Sequence, residues 1–404
     1  MTFLKKIGLA GQIFIGMIFG ALMGFFLPQA NLFGLFGKTF VEALKAVAPA
    51  LVFILIVSAM INAAETPKGH FRRIVFLYMI STLTAAVIAV IASFLFPVKI
   101  TFLRAVSEPA PEGLKEVAMA LLNKLVDNPV NVLLKANYVG ILVWAVVFGI
   151  ALKRQATELT KGFIAQLAEA MTTVMRWVIS FAPIGIAGIV FSTVSQNGLR
   201  IFEDYGKLLA VLICSMALVV LVVNPLLVFF IMRRNPYPLV FKCLKSSGLT
   251  AFFTRSSAAN IPVNIKLCED LNLDKEIYSV SVPLGATINM DGAAVTVTVM
   301  TMAAAHTLGI DVTFSTALMM SVLAAFAACG TSGVAGGSIL LIPMACSLFG
   351  IGNDAAMQVV AVGFTIGVIQ DSLETMLNSS GDVLFIAACE MSKKNKKEQQ
   401  PSKN

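Results

Sequence analysis

The sequence predicts an all-α polytopic membrane protein, and three observations lead there. First, 58% of its 404 residues are hydrophobic and only 13% are charged, about half the charged share of a soluble domain. Second, several apolar runs reach the roughly 20 residues a helix needs to cross a bilayer. Backbone groups in hydrocarbon must be satisfied within their own segment, and these runs are far longer than barrel strands, so they are helices. Third, short basic clusters recur after every second apolar run, as cytoplasmic loops require. They are Lys5 and Lys6; Lys68, Arg72 and Arg73; Lys153 and Arg154; Arg233 and Arg234; and Lys393, Lys394, Lys396 and Lys397. Both termini are therefore expected in the cytoplasm. The net charge of +8 is spread over these loops, so a lipid bilayer and no nucleic acid is the expected partner.

Taken in order, the apolar spans are expected at about 7–27, 38–62, 74–98, 138–152, 172–195 and 208–232. The first is too long for the h-region of a signal peptide and is read as a retained helix. Between the third and fourth, residues 104–135 balance four basic residues against Glu108, Glu112, Glu116 and Asp127, which suits the translocated side. Pro183, in FAPIG, is expected to kink the fifth span. After Arg234 the pattern changes. The apolar segment 238–267 is interrupted by TRSSAANIP, and 314–348 by CGTSGVAGGS. Between them a helix over 277–308 is broken at TINMDG. Each half of an interrupted segment is too short to span a bilayer, so two re-entrant hairpins with buried polar tips are expected. Their matching positions have the look of an inverted-repeat transporter. A last helix from about residue 354 leads into the basic tail.

That last helix carries QDSLETMLNSSGD inside an apolar run. At about 100° per residue, Asp371, Thr375, Asn378 and Asp382 share one face, with Glu374 at its edge. An ionisable side chain at bilayer depth costs on the order of 2.5–3.5 kcal/mol. Such a row persists only where water, ions, a ligand or polar groups face it. Asn289 and Asp291 beside the TINMDG break add a second set of oxygens. Unwinding there, at Gly285 and Gly292, frees backbone carbonyls, and that mixture of ligands suits a hard cation. Tyr78, Ser81 and Thr82 place hydroxyls on one face of the third span. Arg255, at the first hairpin tip, is the basic residue near those depths; it pairs with Asp371 or meets a substrate carboxylate. Two histidines, His70 and His306, and six unclustered cysteines leave little material for zinc or triad catalysis.

TRSSAANIPV, TINMDGAA, GTSGVAGG and DSLETMLNSSGD resemble the four signatures of the dicarboxylate/amino acid:cation symporter family, in order and spacing along essentially the whole chain. The resemblance implies the glutamate-transporter fold of eight membrane helices and two re-entrant hairpins in a bacterial inner membrane. It implies a homotrimer and elevator-like alternating access. Scaffold helices would occupy residues 1–73 and, with an extracellular loop, 101–200. The transport domain would comprise 74–100 and 201–390, followed by a disordered basic tail, 391–404. Substrate would meet Arg255, Ser256, Ser257, Val334, Asp371, Glu374, Thr375 and Asn378, with Asp371 on its α-ammonium and Asn378 and Ser257 on its α-carboxylate. Co-transported sodium ions would bind Gly285, Asn289, Asn378 and Asp382 in one site, and Thr287, Met290 and Thr331 in a second. A third would use Tyr78, Ser81, Thr82, Asn289 and Asp291. No organic cofactor is implied.

Departures from the family pattern narrow the substrate. Where acidic amino acid transporters of the family place an arginine, this chain has Glu374; Ala293 replaces a threonine and Ala335 a proline. A desolvated like charge disfavours aspartate and glutamate, whereas a hydroxyl can donate to Glu374. The expectation is a small neutral amino acid, serine or threonine, carried with sodium; the alternative is a sodium- or proton-coupled acidic amino acid or dicarboxylate symporter. The chain is not expected to be an enzyme. Asp291 and Asp382 are two membrane carboxylates, but their flanking motifs do not look like those of an intramembrane aspartyl hydrolase.

Overall fold

The computed structural model describes residues 8–30, 32–62, 71–100, 127–329 and 336–398, and among these every regular element is helical. The N-terminal half contains α1 (Leu9–Phe26), α2 (Leu32–Asn62), α3 (Phe71–Leu95), a short α4 (Pro129–Leu134), α5 (Tyr138–Lys153), α6 (Glu158–Ser180) and α7 (Ala182–Asn197). The C-terminal half begins with α8 (Ile201–Leu218), which runs through a π-turn at Val219–Val223 into α9 (Asn224–Met232). It continues with α10 (Tyr237–Cys243), α11 (Leu249–Thr254), α12 (Ser257–Asp270), α13 (Lys275–Ile288), α14 (Asp291–Leu308), α15 (Phe314–Ala328), α16 (Ile342–Leu348) and α17 (Asn353–Glu398).

Among the described residues five helices are long and apolar enough to cross a membrane, and a sixth if α6 and α7 count as one span bent by 51°. That bend falls where Pro183 was expected to kink the chain, with the proline in the first turn of α7, where its missing N–H costs no hydrogen bond. The final helix differs from expectation. It continues unbroken to Glu398, through the first residues of the segment expected to be disordered. A helix already nucleated over many turns extends at little cost.

Packing explains the arrangement. On α1, Gly16, Gly20 and Gly24 recur every fourth residue against α7. A Cβ on each would meet the carbonyl oxygen of Pro183, Ala187 or Phe191 respectively. Gly37 of α2 and Gly188 of α7 face each other in the same way. Small residues let backbones approach closely, the main source of helix adhesion where lipid removes any hydrophobic drive. The outward side of α1 is apolar, with Phe14, Phe19, Leu22, Phe25 and Phe26 all exposed. By contrast α14 is enclosed, every residue from Asp291 to Ala305 being buried. A helix hydrophobic around most of its circumference belongs in such a central position. It packs on α3, α15 and α17.

The first interrupted segment is an antiparallel helix pair. Its two limbs, α10–α11 and α12, are stitched by Ser247 and Asn260, whose amide donates to the Ser247 carbonyl and hydroxyl at 3.3 and 3.0 Å. Arg255 forms the turn with a left-handed φ of 51°. The second interrupted segment has limbs α15 and α16, which also pack together. Its tip, including Thr331, Val334 and Ala335, lies outside the described residues.

Candidate functional site

The site forms where three discontinuities meet the polar face of α17. The helix break between α13 and α14 sits at Asn289 and Met290, whose φ, ψ values of −91°, 79° and −115°, 47° leave the helical region. This break places Asp291 in the first turn of α14, where the helix dipole favours a negative group. The freed N–H of Met290 donates to Thr82 Oγ1 at 3.2 Å.

Asp291 is completely buried. Ser81 Oγ donates to its Oδ2 at 2.5 Å, Asn224 Nδ2 to the same oxygen at 3.0 Å, and Thr82 Oγ1 to its Oδ1 at 3.1 Å. Ser81 and Thr82 thus reach the carboxylate with which they were grouped. Tyr78 does not; its hydroxyl donates to the backbone carbonyls of Asp382 and Ser281 at 3.1 and 3.3 Å. Asn224 was not anticipated from the sequence. It opens α9 directly after the π-turn, and an Asn-Pro pair inside a long apolar run was its available signal.

Asp382, also fully buried, lies across the break. Asn289 Nδ2 donates to its Oδ1 at 3.0 Å and to the Asn378 carbonyl at 3.0 Å. Gly285 permits this approach, because a Cβ there would stand 2.7 Å from Asp382 Oδ1 and 2.9 Å from the Tyr78 hydroxyl. Asn378 Oδ1 accepts the Gly292 N–H at 2.7 Å, and its Nδ2 reaches the Met290 sulfur at 3.5 Å. So Asn289, Asn378, Asp382 and the backbone around Gly285 form one cluster, with Asp291 just beyond the break. The Thr287 hydroxyl donates to the Leu284 carbonyl at 2.7 Å. Among the described residues Asn289 Oδ1 is a buried oxygen with no hydrogen-bond partner, an acceptor of the kind a hard cation uses.

A second polar group, also missed from the sequence, braces this cluster. Asn264 Nδ2 donates to the Ser379 hydroxyl at 3.1 Å and approaches Asp382 Oδ2 at 3.4 Å; Asn260 Nδ2 donates to Ser379 Oγ at 2.7 Å. Asn260 and Asn264 lie one turn apart on α12 and face α17. Their spacing in NIPVN was legible, but their partner was not, because hairpin docking brings it there.

One turn before Asn378, the face of α17 carries Asp371, Glu374 and Thr375. Asp371 Oδ1 accepts the Gly336 N–H at 3.1 Å, while its Oδ2 stands 3.9 Å from Arg255 Nε. The Arg255 pairing is thus long and lacks a tight hydrogen bond. Glu374 Oε2 receives Thr296 Oγ1 at 2.7 Å, Ser338 Oγ at 2.7 Å and Gln370 Nε2 at 2.6 Å. The Thr375 hydroxyl bonds back to the Asp371 carbonyl at 2.8 Å. Ser256 caps α12 by accepting the Ala259 N–H at 3.2 Å, and Ser257 is buried beside it. Every polar residue of the α17 stripe is at most 6% exposed. The row faces neighbouring protein groups rather than acyl chains. Among the described residues no cluster of histidine, cysteine and carboxylate side chains suits a transition metal.

Comparison with known proteins gives the family. A profile described as the sodium:dicarboxylate symporter family matches residues 9–393. The serine/threonine transporter SstT of Streptococcus agalactiae serotype III (strain NEM316) is 54% identical over 394 residues, covering 96% of this chain and 97% of its own. The protein of the same name from Bifidobacterium adolescentis is 55% identical over 380 residues, 94% of this chain and 88% of its own. That of Streptococcus thermophilus (strain LMG 18311) is 53% identical over 391 residues, covering 96% and 97%.

Proposed function

This chain belongs to the sodium:dicarboxylate symporter family, and from that premise we propose that it imports serine and threonine together with sodium ions. It is a membrane transporter, not an enzyme. One observation carries the coupling ion. Asp291 and Asp382 are both fully buried at one helix break, and among the described residues neither has an ion-pair partner. Buried carboxylates without a countercharge are costly. Carboxylates, Asn amides and helix-break carbonyls are ligands for a hard cation, so sodium ions are the natural compensation as cargo.

In this reading Asn289, Asn378, Asp382 and the Gly285 carbonyl hold one ion, and Asp291 with Ser81, Thr82 and Asn289 a second, with Tyr78 supporting both from behind. Thr287, Met290 and Thr331 form a third site. Asp371 meets the substrate ammonium, and Asn378, Ser256 and Ser257 meet its carboxylate. Arg255, Val334 and Thr375 close the pocket. Glu374 faces the substrate side chain, where an acidic substrate would need a cation instead. The molecule works as a homotrimer in the cytoplasmic membrane with both termini inside. Its transport domain, 74–100 and 201–390, moves as an elevator against the remaining helices.

The deciding experiment is uptake of labelled serine into proteoliposomes at fixed pH, with an inward sodium gradient or with potassium in its place. Uptake that requires sodium and is inhibited by threonine, but not by aspartate, is the expected result. Inhibition by aspartate as strong as that by threonine would overturn the substrate, and sodium-independent uptake driven by a proton gradient would overturn the ion.

A further inference from the structure

Glu374 is held in an unusual way for a carboxylate in a membrane helix. Thr296 from α14, Ser338 from the returning limb of the second hairpin and Gln370 from the preceding turn of α17 all donate to Oε2, at 2.6–2.7 Å. Gln370 Nε2 has two hydrogens, and its second neighbour is Thr296 Oγ1 at 2.7 Å. The Thr296 hydroxyl accepts from the glutamine and has one hydrogen to share between Glu374 Oε2 at 2.7 Å and the Gly292 carbonyl at 3.0 Å. Donors gathered on Oε2 leave Oε1 as the unengaged oxygen of the carboxyl group. Among the described residues no donor reaches the other oxygen, Oε1, and the side chain keeps 6% exposure. Gln370 Oε1 is likewise buried with no partner. Beside them stands Asp371, held by the Gly336 N–H.

We propose that Thr296, Ser338 and Gln370 are positioning residues that saturate Glu374 Oε2 and so present Oε1 as a fixed acceptor for the substrate's side-chain hydroxyl. The proposal rests on the assignment of serine and threonine as substrates and adds three residues to the selectivity apparatus. The donors come from three separate elements, α14, the hairpin limb and α17, so the carboxylate is oriented only when all three are docked. A hydroxyl-bearing substrate then completes the set of partners. An alanine-sized substrate leaves Oε1 desolvated without a donor, which is how a polar pocket rejects an analogue lacking the group it binds. Ser338 also sits two residues from Gly336, so one short stretch of hairpin touches both carboxylates that flank the substrate.

The test uses the full-length protein in proteoliposomes at saturating sodium, comparing labelled serine with labelled alanine. Wild-type serine transport is measured first; its absence would fail the substrate assignment itself, whatever the variants do. The variants are Ser338→Ala, Thr296→Val and Gln370→Leu, with Ser338→Thr as the conservative control. Each removed donor is expected to lower the ratio of kcat/KM for serine to that for alanine by roughly 10-fold, the worth of one hydrogen bond to a charged group at the low end of its range. The change should lie mainly in the serine KM, and Ser338→Thr should restore the ratio. Alanine transport itself reports folding, since a misfolded variant carries neither substrate. Variants that lose serine and alanine transport in equal proportion, or that keep the wild-type ratio, would overturn the proposal.

Discussion

At the scale of single residues, charge placement carries the proposed selectivity. Glu374 puts a negative group at the edge of a stripe that already contains Asp371, and burial leaves both with little water to screen them. Replacing it as Glu374→Arg is expected to shift preference from serine towards aspartate, read as the ratio of their inhibition constants in competitive uptake. Asp382→Asn removes the carboxylate but keeps the shape and the Asn289 contact. Half-maximal uptake should then need roughly 10–100 times more sodium, the worth of one charge-assisted bond. Gly285→Ala probes the same place sterically, since its Cβ would crowd Asp382 Oδ1 and the Tyr78 hydroxyl. Overpacking of that kind costs about 1–3 kcal/mol, so a lower melting temperature and weaker sodium dependence are expected together. Much of this was legible from residue types alone: a carboxylate row in an apolar helix marks itself. Asn224, Asn260 and Asn264 were not, because a neutral amide in a membrane helix has many structural uses and its partner is set by docking.

At the scale of elements, broken helices and close helix contacts do the organising. The break at Asn289 and Met290 frees donors and acceptors that a continuous helix would consume, and α3 and α17 supply the partners. Pattern alone located the break to within a turn, because Asn and Gly beside an aspartate interrupt an otherwise apolar helix. Tyr78 shows where that reading stopped. Its spacing grouped it with Ser81 and Thr82, yet its hydroxyl bonds the carbonyls of Ser281 and Asp382. Elsewhere the stripe Gly16, Gly20 and Gly24 holds α1 to α7. Gly20→Leu cannot fit beside the Ala187 carbonyl and is expected to part the two helices. The measurement is thermal stability in detergent, where a loss of several degrees should appear with the sodium requirement of any remaining uptake unchanged.

At the scale of the whole molecule, ion binding and stability should be linked, because the buried carboxylates gather side chains from α3, α9, α12, the α13–α14 break, α14 and α17. A ligand that binds only the folded state stabilises it by RT ln(1 + [L]/Kd). Sodium is therefore expected to raise the unfolding temperature of the detergent-solubilised protein where potassium at equal ionic strength does not, and Asp291→Asn should blunt the rise. An exposed ion pair such as Lys45 with Asp354, 2.5 Å apart, should matter far less, since surface pairs contribute about 0–1 kcal/mol; Lys45→Ala should leave stability nearly unchanged. The sequence by itself determined that the chain lives in a bilayer, roughly where its apolar segments lie, and which carboxylates need compensation. Those properties come from local hydropathy and from the cost of charge in hydrocarbon, neither of which depends on distant neighbours. Only the tertiary structure decided which oxygen each donor serves. Contacts such as Ser338 with Glu374, Asn224 with Asp291 and Asn264 with Asp382 join segments 36 to 118 residues apart, and no local period along the chain encodes that meeting.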